Sequence, residues 1–197
     1  EDHADKALSS SLQMLVELKK LQQSWAVKNL PLLDIGIGLN TGDMVVGNMG
    51  SAQRFDYTVL GDSVNLGARL ESINKNYGTK IICSEFTKSS LLRPEDFILR
   101  ELDKIQVKGK TEPVCIFEVM AFNKQENQKL LELAKKFEEG LKEYRQGNWD
   151  LAIKFFDVVL TMNPNDGPAK EFIDRCKYLK ENSNKLQWNG VWVFKTK

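Results

Sequence analysis

The sequence predicts an α+β fold: a β-sheet with packed helices, followed by an all-helical C-terminal region. Three observations support this. Apolar residues alternate with a period of two in several short segments between positions 35 and 120, which is typical of strands. Apolar residues recur every three or four positions between those segments and throughout residues 129–183, which is typical of helices. The composition of the 197 residues, 42% hydrophobic and 28% charged, is ordinary for a globular protein.

Charge, hydropathy and rare residue types exclude several classes of protein. The formal net charge of +1 gives no reason to expect a nucleic acid or an anionic membrane as a partner. No window approaches the ~20 consecutive apolar residues that a membrane-spanning helix needs. The cysteines, Cys83, Cys115 and Cys176, are widely spaced and form no CxxC pair, so we expect buried free thiols. His3 is the one histidine and is expected to be solvated, which sets histidine-based catalytic triads aside.

The first predicted element is a long helix from about Asp5 to Trp25. One apolar stripe begins at Leu8 and a second begins at Met14, and the two stripes adjoin. Because together they make a wide apolar face, we expect this helix to be well buried against a sheet. Pro31 prevents the helix from continuing.

The next predicted element is a glycine-rich hairpin. Ile35, Ile37 and Leu39 alternate with small or polar residues, which predicts a strand with one apolar face. Residues 40–43, Asn-Thr-Gly-Asp, favour a turn, and residues 44–47 return as a second strand, so we expect a hairpin between Gly36 and Gly47. Glycines at strand positions indicate that another backbone or a ligand comes close.

A helix is predicted to follow from residues 61–63, Gly-Asp-Ser. The side chain of Asp62 or Ser63 can accept a hydrogen bond from a free backbone N–H of the first turn. The buried face of this helix is marked by Leu66, Leu70 and Ile73.

Asn65 and Arg69 lie four residues apart and therefore one above the other on a neighbouring face of this helix. Arg69 presents a planar, permanently charged fork that suits phosphate, and Asn65 offers an amide donor and acceptor beside it. The spacing is also what a plain solvated helix face would show.

Further strands are predicted at residues 79–84, 97–107 and 114–120. Ser84 is expected to cap a short helix that runs to about Leu92 and is ended by Pro94. Residues 108–113, Lys-Gly-Lys-Thr-Glu-Pro, form the predicted turn between the last two strands.

Residues 55–71, Phe-Asp-Tyr-Thr-Val-Leu-Gly-Asp-Ser-Val-Asn-Leu-Gly-Ala-Arg-Leu-Glu, closely resemble the signature of class III nucleotide cyclases. Residues 36–42 and 46–50 resemble that family as well, and the likeness extends from about His3 to Val119. It implies a ferredoxin-like cyclase sheet that is truncated at its N-terminus. The family's motifs that carry two metal-binding aspartates would precede the first residue here, and Asp34 and Asp43 match neither of them.

The resemblance implies a role for four residues. Thr58 occupies the place of a base-contacting residue that is often Thr in bacterial adenylyl cyclases, which favours ATP over GTP. Asn65 would orient the ribose, and Arg69 would stabilise charge on the α-phosphoryl group and the leaving pyrophosphate. Lys108 would hold the β- and γ-phosphates, although a lysine at a hairpin tip is also common on exposed sheet ends.

The family resemblance implies conversion of ATP to cyclic AMP and pyrophosphate for intracellular signalling. It implies two divalent metal ions, Mg²⁺ or Mn²⁺, and active sites shared across a homodimer, with the metal aspartates on one protomer and the Asn and Arg on the other. We expect this chain to hold no metal ligand and to be inactive alone, although its parent protein is an adenylyl cyclase. We also expect a cytoplasmic location, whether or not another segment anchors the parent protein to a membrane.

Four segments follow from these patterns: a partial cyclase domain at residues 1–122, a polar linker at 123–128, a helical region at 129–183 and a tail at 184–197. The helical region resembles a tetratricopeptide repeat. A lone repeat cannot bury both of its faces, so we expect it to pack on the cyclase part or on another chain. The tail alternates aromatic and apolar residues and is expected to dock as a strand.

Two other functions remain open. The helical C-terminus is a candidate protein-interaction or dimerisation module that binds a partner protein. Alternatively, the cyclase part is a non-catalytic homologue that binds nucleotide as a regulator.

Overall fold

The computed structural model describes residues 2–51, 54–106, 113–182 and 188–192. Within these ranges the chain forms six helices and six strands, with short 3-10 turns at Pro94–Asp96 and Gln125–Asn127. In chain order they are α1 (His3–Val27), β1 (Ile37–Leu39), β2 (Val45–Ser51), β3 (Arg54–Leu60), α2 (Asp62–Tyr77), β4 (Ile81–Ser84), α3 (Glu85–Ser89), β5 (Phe97–Ile105), β6 (Val114–Phe122), α4 (Gln128–Arg145), α5 (Trp149–Met162) and α6 (Gly167–Asn182).

Four strands form the main sheet in the order β1-β4-β6-β5. The β1–β4 pair is parallel, and the other two pairs are antiparallel. Along β4, Ile81 and Cys83 belong to one hydrophobic cluster and Ile82 to another. Because successive strand residues point to opposite faces, the two clusters lie on opposite sides of the sheet. The predicted α+β architecture is confirmed.

The C-terminal helices pack on the sheet. The cluster that contains Ile82 also contains Leu66 and Leu70 of α2, Phe137 of α4 and Phe172 of α6. The aromatic rings of Phe137 and Phe172 meet edge to face, with centroids 5.5 Å apart. The helical region was expected to pack either on the cyclase part or on another chain, and in the structure it packs on the cyclase part of the same chain. The tetratricopeptide identity of α4 and α5 and the segment boundaries remain predictions.

Helix α1 covers the other face of the sheet along only part of its length. Ala4, Leu8 and Leu12 are buried, whereas Met14 is 53% and Leu21 50% exposed. The expectation that the whole apolar face is buried was therefore wrong. At ~1.5 Å per residue this 25-residue helix is about 37 Å long, and the nine-residue strands β5 and β6 span only about 30 Å. The sheet is too small to cover both stripes.

The predicted hairpin between Gly36 and Gly47 was also wrong. Strand β1 pairs in parallel with β4, and β2 pairs with β3 in a separate two-stranded sheet whose register joins Val45 to Leu60. The turn-forming residues 40–43 instead carry the chain from one sheet to the other. The side-chain amide of Asn40 holds this connecting segment against α2, because it donates to the Ser63 carbonyl (2.9 Å).

Strand β3 was not predicted, whereas β4, β5, β6 and the helices α2 to α6 match the predictions with shifted ends. Ser84 caps α3 as expected, since its hydroxyl accepts from the Thr87 N–H (3.3 Å), but α3 ends at Ser89. In the described part of the C-terminal tail, residues 188–192, Trp192 forms an isolated parallel bridge with Ile105 at the end of β5. None of the described helices is long and apolar enough to cross a membrane.

Candidate nucleotide site

Helix α2 carries the central pair of candidate residues. Leu66 and Leu70 are buried beneath it, with 1% and 0% exposure. Asn65 and Arg69 are exposed and lie one turn apart on the same face of the helix. An amide and a guanidinium therefore stand side by side at the surface of an element whose opposite side is anchored in the core. This is the placement that the sequence spacing predicts.

Thr58 lies on β3, close to the start of α2. It is exposed and pairs with Gly47 of β2. Gly61, with an extended backbone and a φ of +155°, joins β3 to α2. Because only three residues separate Thr58 from the start of the helix, Thr58, Asn65 and Arg69 belong to one continuous strand–turn–helix unit. Lys108, the fourth candidate, lies outside the described residues.

The start of α2 differs from the prediction. Its N-cap is Gly61, and no side-chain hydrogen bond caps the first turn, so the expected capping by Asp62 or Ser63 was wrong. The backbone of Ser63 is held from outside the helix instead, by the amide of Asn40 (2.9 Å). The side-chain oxygen of Asn40, Oδ1, accepts in turn from the Ser84 hydroxyl (2.6 Å), which links the start of α2 to the end of β4.

A second asparagine holds the other end of α2. The amide of Asn74 donates to the Ile37 carbonyl of β1 (3.0 Å), and its oxygen accepts from the Thr79 hydroxyl (2.9 Å). Asn74 is 2% exposed. Neither asparagine was predicted to anchor α2. The position of Asn74 could have been recognised from the sequence, because it stands next to Ile73 on the apolar face of the helix. A polar side chain there needs a buried hydrogen-bond partner.

Strand β1 and helix α2 also touch through their backbones. A Cβ atom at Gly38 would lie 2.3 Å from the Gly67 carbonyl oxygen and 2.3 Å from the Glu71 nitrogen. The glycines in this strand were expected to allow another backbone to approach, and at Gly38 the approaching backbone is that of α2. At Gly47 nothing lies within 4 Å of such an atom.

The C-terminal end of α2 joins a buried charged cluster. The Tyr77 hydroxyl donates to the Asp103 carboxylate of β5 (2.7 Å), and the Arg175 guanidinium of α6 donates to the same oxygen (2.6 Å). Burial, followed by the Asp103 charge, raises the pKa of Tyr77 well above its usual value, so this hydroxyl stays a donor. Burial disfavours the charge on Arg175, but Tyr77 and Asp103 outweigh that effect and raise its pKa.

The part of the chain that the structure describes contains no group of three or more His, Cys, Asp or Glu side chains able to hold an ion. Asp34 is engaged in an ion pair with Lys80. The donor set therefore does not fit the two divalent ions that the family resemblance implies, and no chemical step is assigned to an ion here.

The β2–β3 hairpin beside Thr58 exposes apolar side chains on both of its faces. Neighbouring residues point to opposite faces, yet Val45 is 66% and Val46 50% exposed. On β3, Phe55 is 63% and Tyr57 76% exposed. An apolar ribbon of this kind is typical of a surface that a protein partner covers.

Comparison with known proteins assigns residues 1–120 to the model of the adenylate and guanylate cyclase catalytic domain. An adenylate cyclase of Anabaena cylindrica is 37% identical over 126 residues, which cover 61% of this chain and 25% of that protein. The terminal-differentiation-specific adenylate cyclase of Dictyostelium discoideum is 32% identical over 146 residues, 73% of this chain and 7% of that protein. The chain thus spans a quarter or less of the length of these two relatives.

Two solved structures resemble the fold. The adenylyl cyclase CyaB from P. aeruginosa is 35% identical with a TM-score of 0.52, covering 60% of this chain and 59% of that one. The guanylyl cyclase Cya2 is 34% identical with a TM-score of 0.50, covering 64% of this chain and 62% of that one. Both nucleotide specificities therefore occur among similar structures.

Proposed function

Because the chain belongs to the family of adenylate and guanylate cyclase catalytic domains, we propose that it forms the base-, ribose- and phosphate-binding part of an adenylyl cyclase. The reaction would join the ribose 3′-oxygen of ATP to the α-phosphorus and release pyrophosphate, with loss of the 3′-hydroxyl proton. The observation that carries the proposal is that Asn65 and Arg69 lie one turn apart on an exposed face of α2, which is anchored at both ends.

Each candidate residue has a role that its chemistry supports. Asn65 would hold the ribose through its amide. Arg69 would stabilise the negative charge that builds on the α-phosphoryl group and on the leaving pyrophosphate. Thr58 would accept a hydrogen bond from the adenine amino group, and Lys108 would hold the β- and γ-phosphates. The choice of ATP over GTP rests on Thr58 and on the adenylate cyclase names of the relatives.

The complete enzyme would act as a homodimer with composite sites. The exposed apolar β2–β3 hairpin and the exposed second half of α1 support this, because apolar surface of that extent favours a protein partner. Two divalent ions, Mg²⁺ or Mn²⁺, would be bound by residues other than those described here. The 197-residue chain alone is then expected to be inactive, and a cytoplasmic location follows from its use of ATP.

Complementation tests this proposal. The chain is mixed with a cyclase domain of the same family that keeps its metal-binding aspartates but has its own asparagine and arginine of this motif replaced by alanine. We expect cyclic AMP from ATP in the mixture and none from either protein alone. Arg69→Ala in this chain should lower kcat by about 100-fold or more. Lys75→Ala, which removes another exposed cation of α2, should leave the rate within about twofold.

Nucleotide preference is tested in the same mixture. Thr58→Ala should reduce the preference for ATP over GTP by about tenfold, the effect of losing one hydrogen bond to the base. ATP binding without turnover, with the partner present and folded, would support the regulatory alternative and contradict a catalytic role. Equal rates of cyclic AMP formation for wild type and Arg69→Ala would show that Arg69 has no role in the active site.

A further inference from the structure

The cluster at the end of α2 joins three parts of the chain through one side chain. Arg175 of α6 donates to Asp103 of β5 (2.6 Å), and the same Asp103 oxygen accepts from Tyr77, the last residue of α2 (2.7 Å). The side chains of Arg175 and Asp103 are 2% and 0% exposed. The Arg175 guanidinium also lies over the rings of Tyr77 (5.2 Å) and Trp192 (4.9 Å), so the tail contributes to the same cluster.

We propose that Tyr77, Asp103 and Arg175 form a positioning cluster through which the C-terminal helices set the placement of α2, and with it Asn65 and Arg69. The proposal rests on the cyclase function proposed above. All three are buried at the end of α2, whereas Asn65 and Arg69 are exposed, so we assign them as positioning residues and not as catalytic ones.

The geometry makes the end of α2 a fixed point. A Cβ atom at Gly167, the first residue of α6, would lie 2.1 Å from the Tyr77 carbonyl oxygen, so the two helices meet in backbone contact. Arg69 stands eight positions before Tyr77, and a helix rises ~1.5 Å per residue, so Arg69 lies about 12 Å along the same helix axis. A change in the angle of that axis at Tyr77 moves Arg69 sideways.

The buried charges of Asp103 and Arg175 restrict how the end of α2 can pack. A buried carboxylate or guanidinium is stable only when paired and hydrogen-bonded. Asp103 has its partners in Tyr77, Arg175 and the Lys104 N–H (2.7 Å), and Arg175 has a further partner in Glu171 (2.8 Å). The Tyr77 hydroxyl links this network to α2 by its hydrogen bond to Asp103. Without it, α2 loses a directional restraint while the Asp103–Arg175 pair stays intact.

A second buried arginine provides a matched control. Arg100 of β5 is also 2% exposed at its side chain and pairs with Glu118 and with Asp166, which precedes α6. It ties the sheet to the C-terminal helices as Arg175 does, through Glu118 on β6, Asp166 before α6 and the ring of Phe137 in α4 (4.7 Å to the centroid), and these three residues lie outside α2. Replacing Arg100 thus perturbs the same interface without cutting the link to α2.

The first readout is amide hydrogen exchange in the full chain, which needs no activity. Tyr77→Phe keeps the aromatic ring and removes only the hydroxyl. Arg175→Lys keeps the positive charge and removes the planar guanidinium. Both should speed exchange in α2 by about tenfold, the equivalent of one lost hydrogen bond to a charged group. Arg100→Lys should leave α2 exchange at the wild-type rate. Unchanged α2 exchange in Tyr77→Phe, or equal effects of Arg100→Lys, would overturn the proposal.

The second readout is a double-mutant cycle in the complementation assay. Tyr77→Phe should lower kcat by about tenfold with KM within about twofold, because the displaced Arg69 acts on the transition state. In an Arg69→Ala background Tyr77→Phe should have no further effect, whereas a merely structural role would lower both rates by the same factor. If the wild-type mixture makes no cyclic AMP, the proposed function fails, and hydrogen exchange alone decides the positioning cluster.

Discussion

Gly38 of β1 and Gly67 of α2 meet so closely that a Cβ atom at Gly38 would lie 2.3 Å from the Gly67 carbonyl oxygen. That contact sets the distance between the strand and the helix that carries Asn65 and Arg69. Backbone cannot move aside as a flexible side chain can, so the contact requires glycine at position 38.

Gly38→Ala is therefore expected to destabilise the protein by about 1–3 kcal/mol, the cost of overpacking a close contact, measured by urea unfolding. Gly47→Ala is the matched control, since nothing lies within 4 Å of an added Cβ atom there. We expect the control to change the free energy of unfolding by less than about 0.5 kcal/mol. Equal stability of the two variants would show that α2 shifts without cost.

Asp5 makes the stability of the folded protein depend on pH in the acidic range. It is 4% exposed and accepts from the Leu92 N–H (2.9 Å) and the Arg93 N–H (3.0 Å). The hydrogen bond from Leu92, followed by that from Arg93, outweighs desolvation and lowers the pKa of Asp5 below its usual 3.8. Because the folded pKa is below the unfolded one, the stabilisation is present above about pH 4 and is lost as pH falls through the folded pKa.

Asp5→Asn tests this dependence. Asparagine has one oxygen for two donors, so at pH 7 the variant should be less stable by about 1–3 kcal/mol. The difference in free energy of unfolding should shrink as pH is lowered below about 4, when the wild-type carboxylate becomes protonated. The exposed Asp174→Asn serves as control and should stay within about 0.5 kcal/mol of wild type. A difference that is constant with pH would contradict the assignment.

The thiols should be slow to react in the folded protein. Burial raises the pKa of Cys83 and of Cys176 to about 12, and burial together with the Glu101 charge raises that of Cys115 to about 12. The thiolate is the reactive form, so labelling by a disulfide reagent at pH 8 should be complete only after denaturation. Cys115, which is partly exposed, should react first, and Cys115→Ser should remove the earliest phase. Rapid native labelling of Cys83 would disprove this order.

Local pattern was enough to predict α2 and the side chains that it presents. The recurrence of Leu66 and Leu70 follows from the 3.6-residue period, and the same period places Asn65 above Arg69. The cap of α3 by Ser84 was predictable for a related reason, because capping depends on residues within one turn. Their roles toward nucleotide remain predictions.

Strand pairing and anchoring were not predictable in this way. Residues 40–43 favour a turn, yet β1 pairs with β4, which lies more than forty residues later in the chain. Asn40 and Asn74 likewise form hydrogen bonds with residues that are distant in sequence, and local sequence does not reveal these partners. Nothing local distinguishes Asp103 and Arg175 from solvated charges either.

The sequence by itself therefore determined which face of α2 carries Asn65 and Arg69, since a helix face is defined by neighbours within two turns. Only the tertiary structure decided where that face is held, because the backbone contact at Gly38 and the Tyr77–Asp103–Arg175 cluster arise between segments brought together by burial of apolar surface.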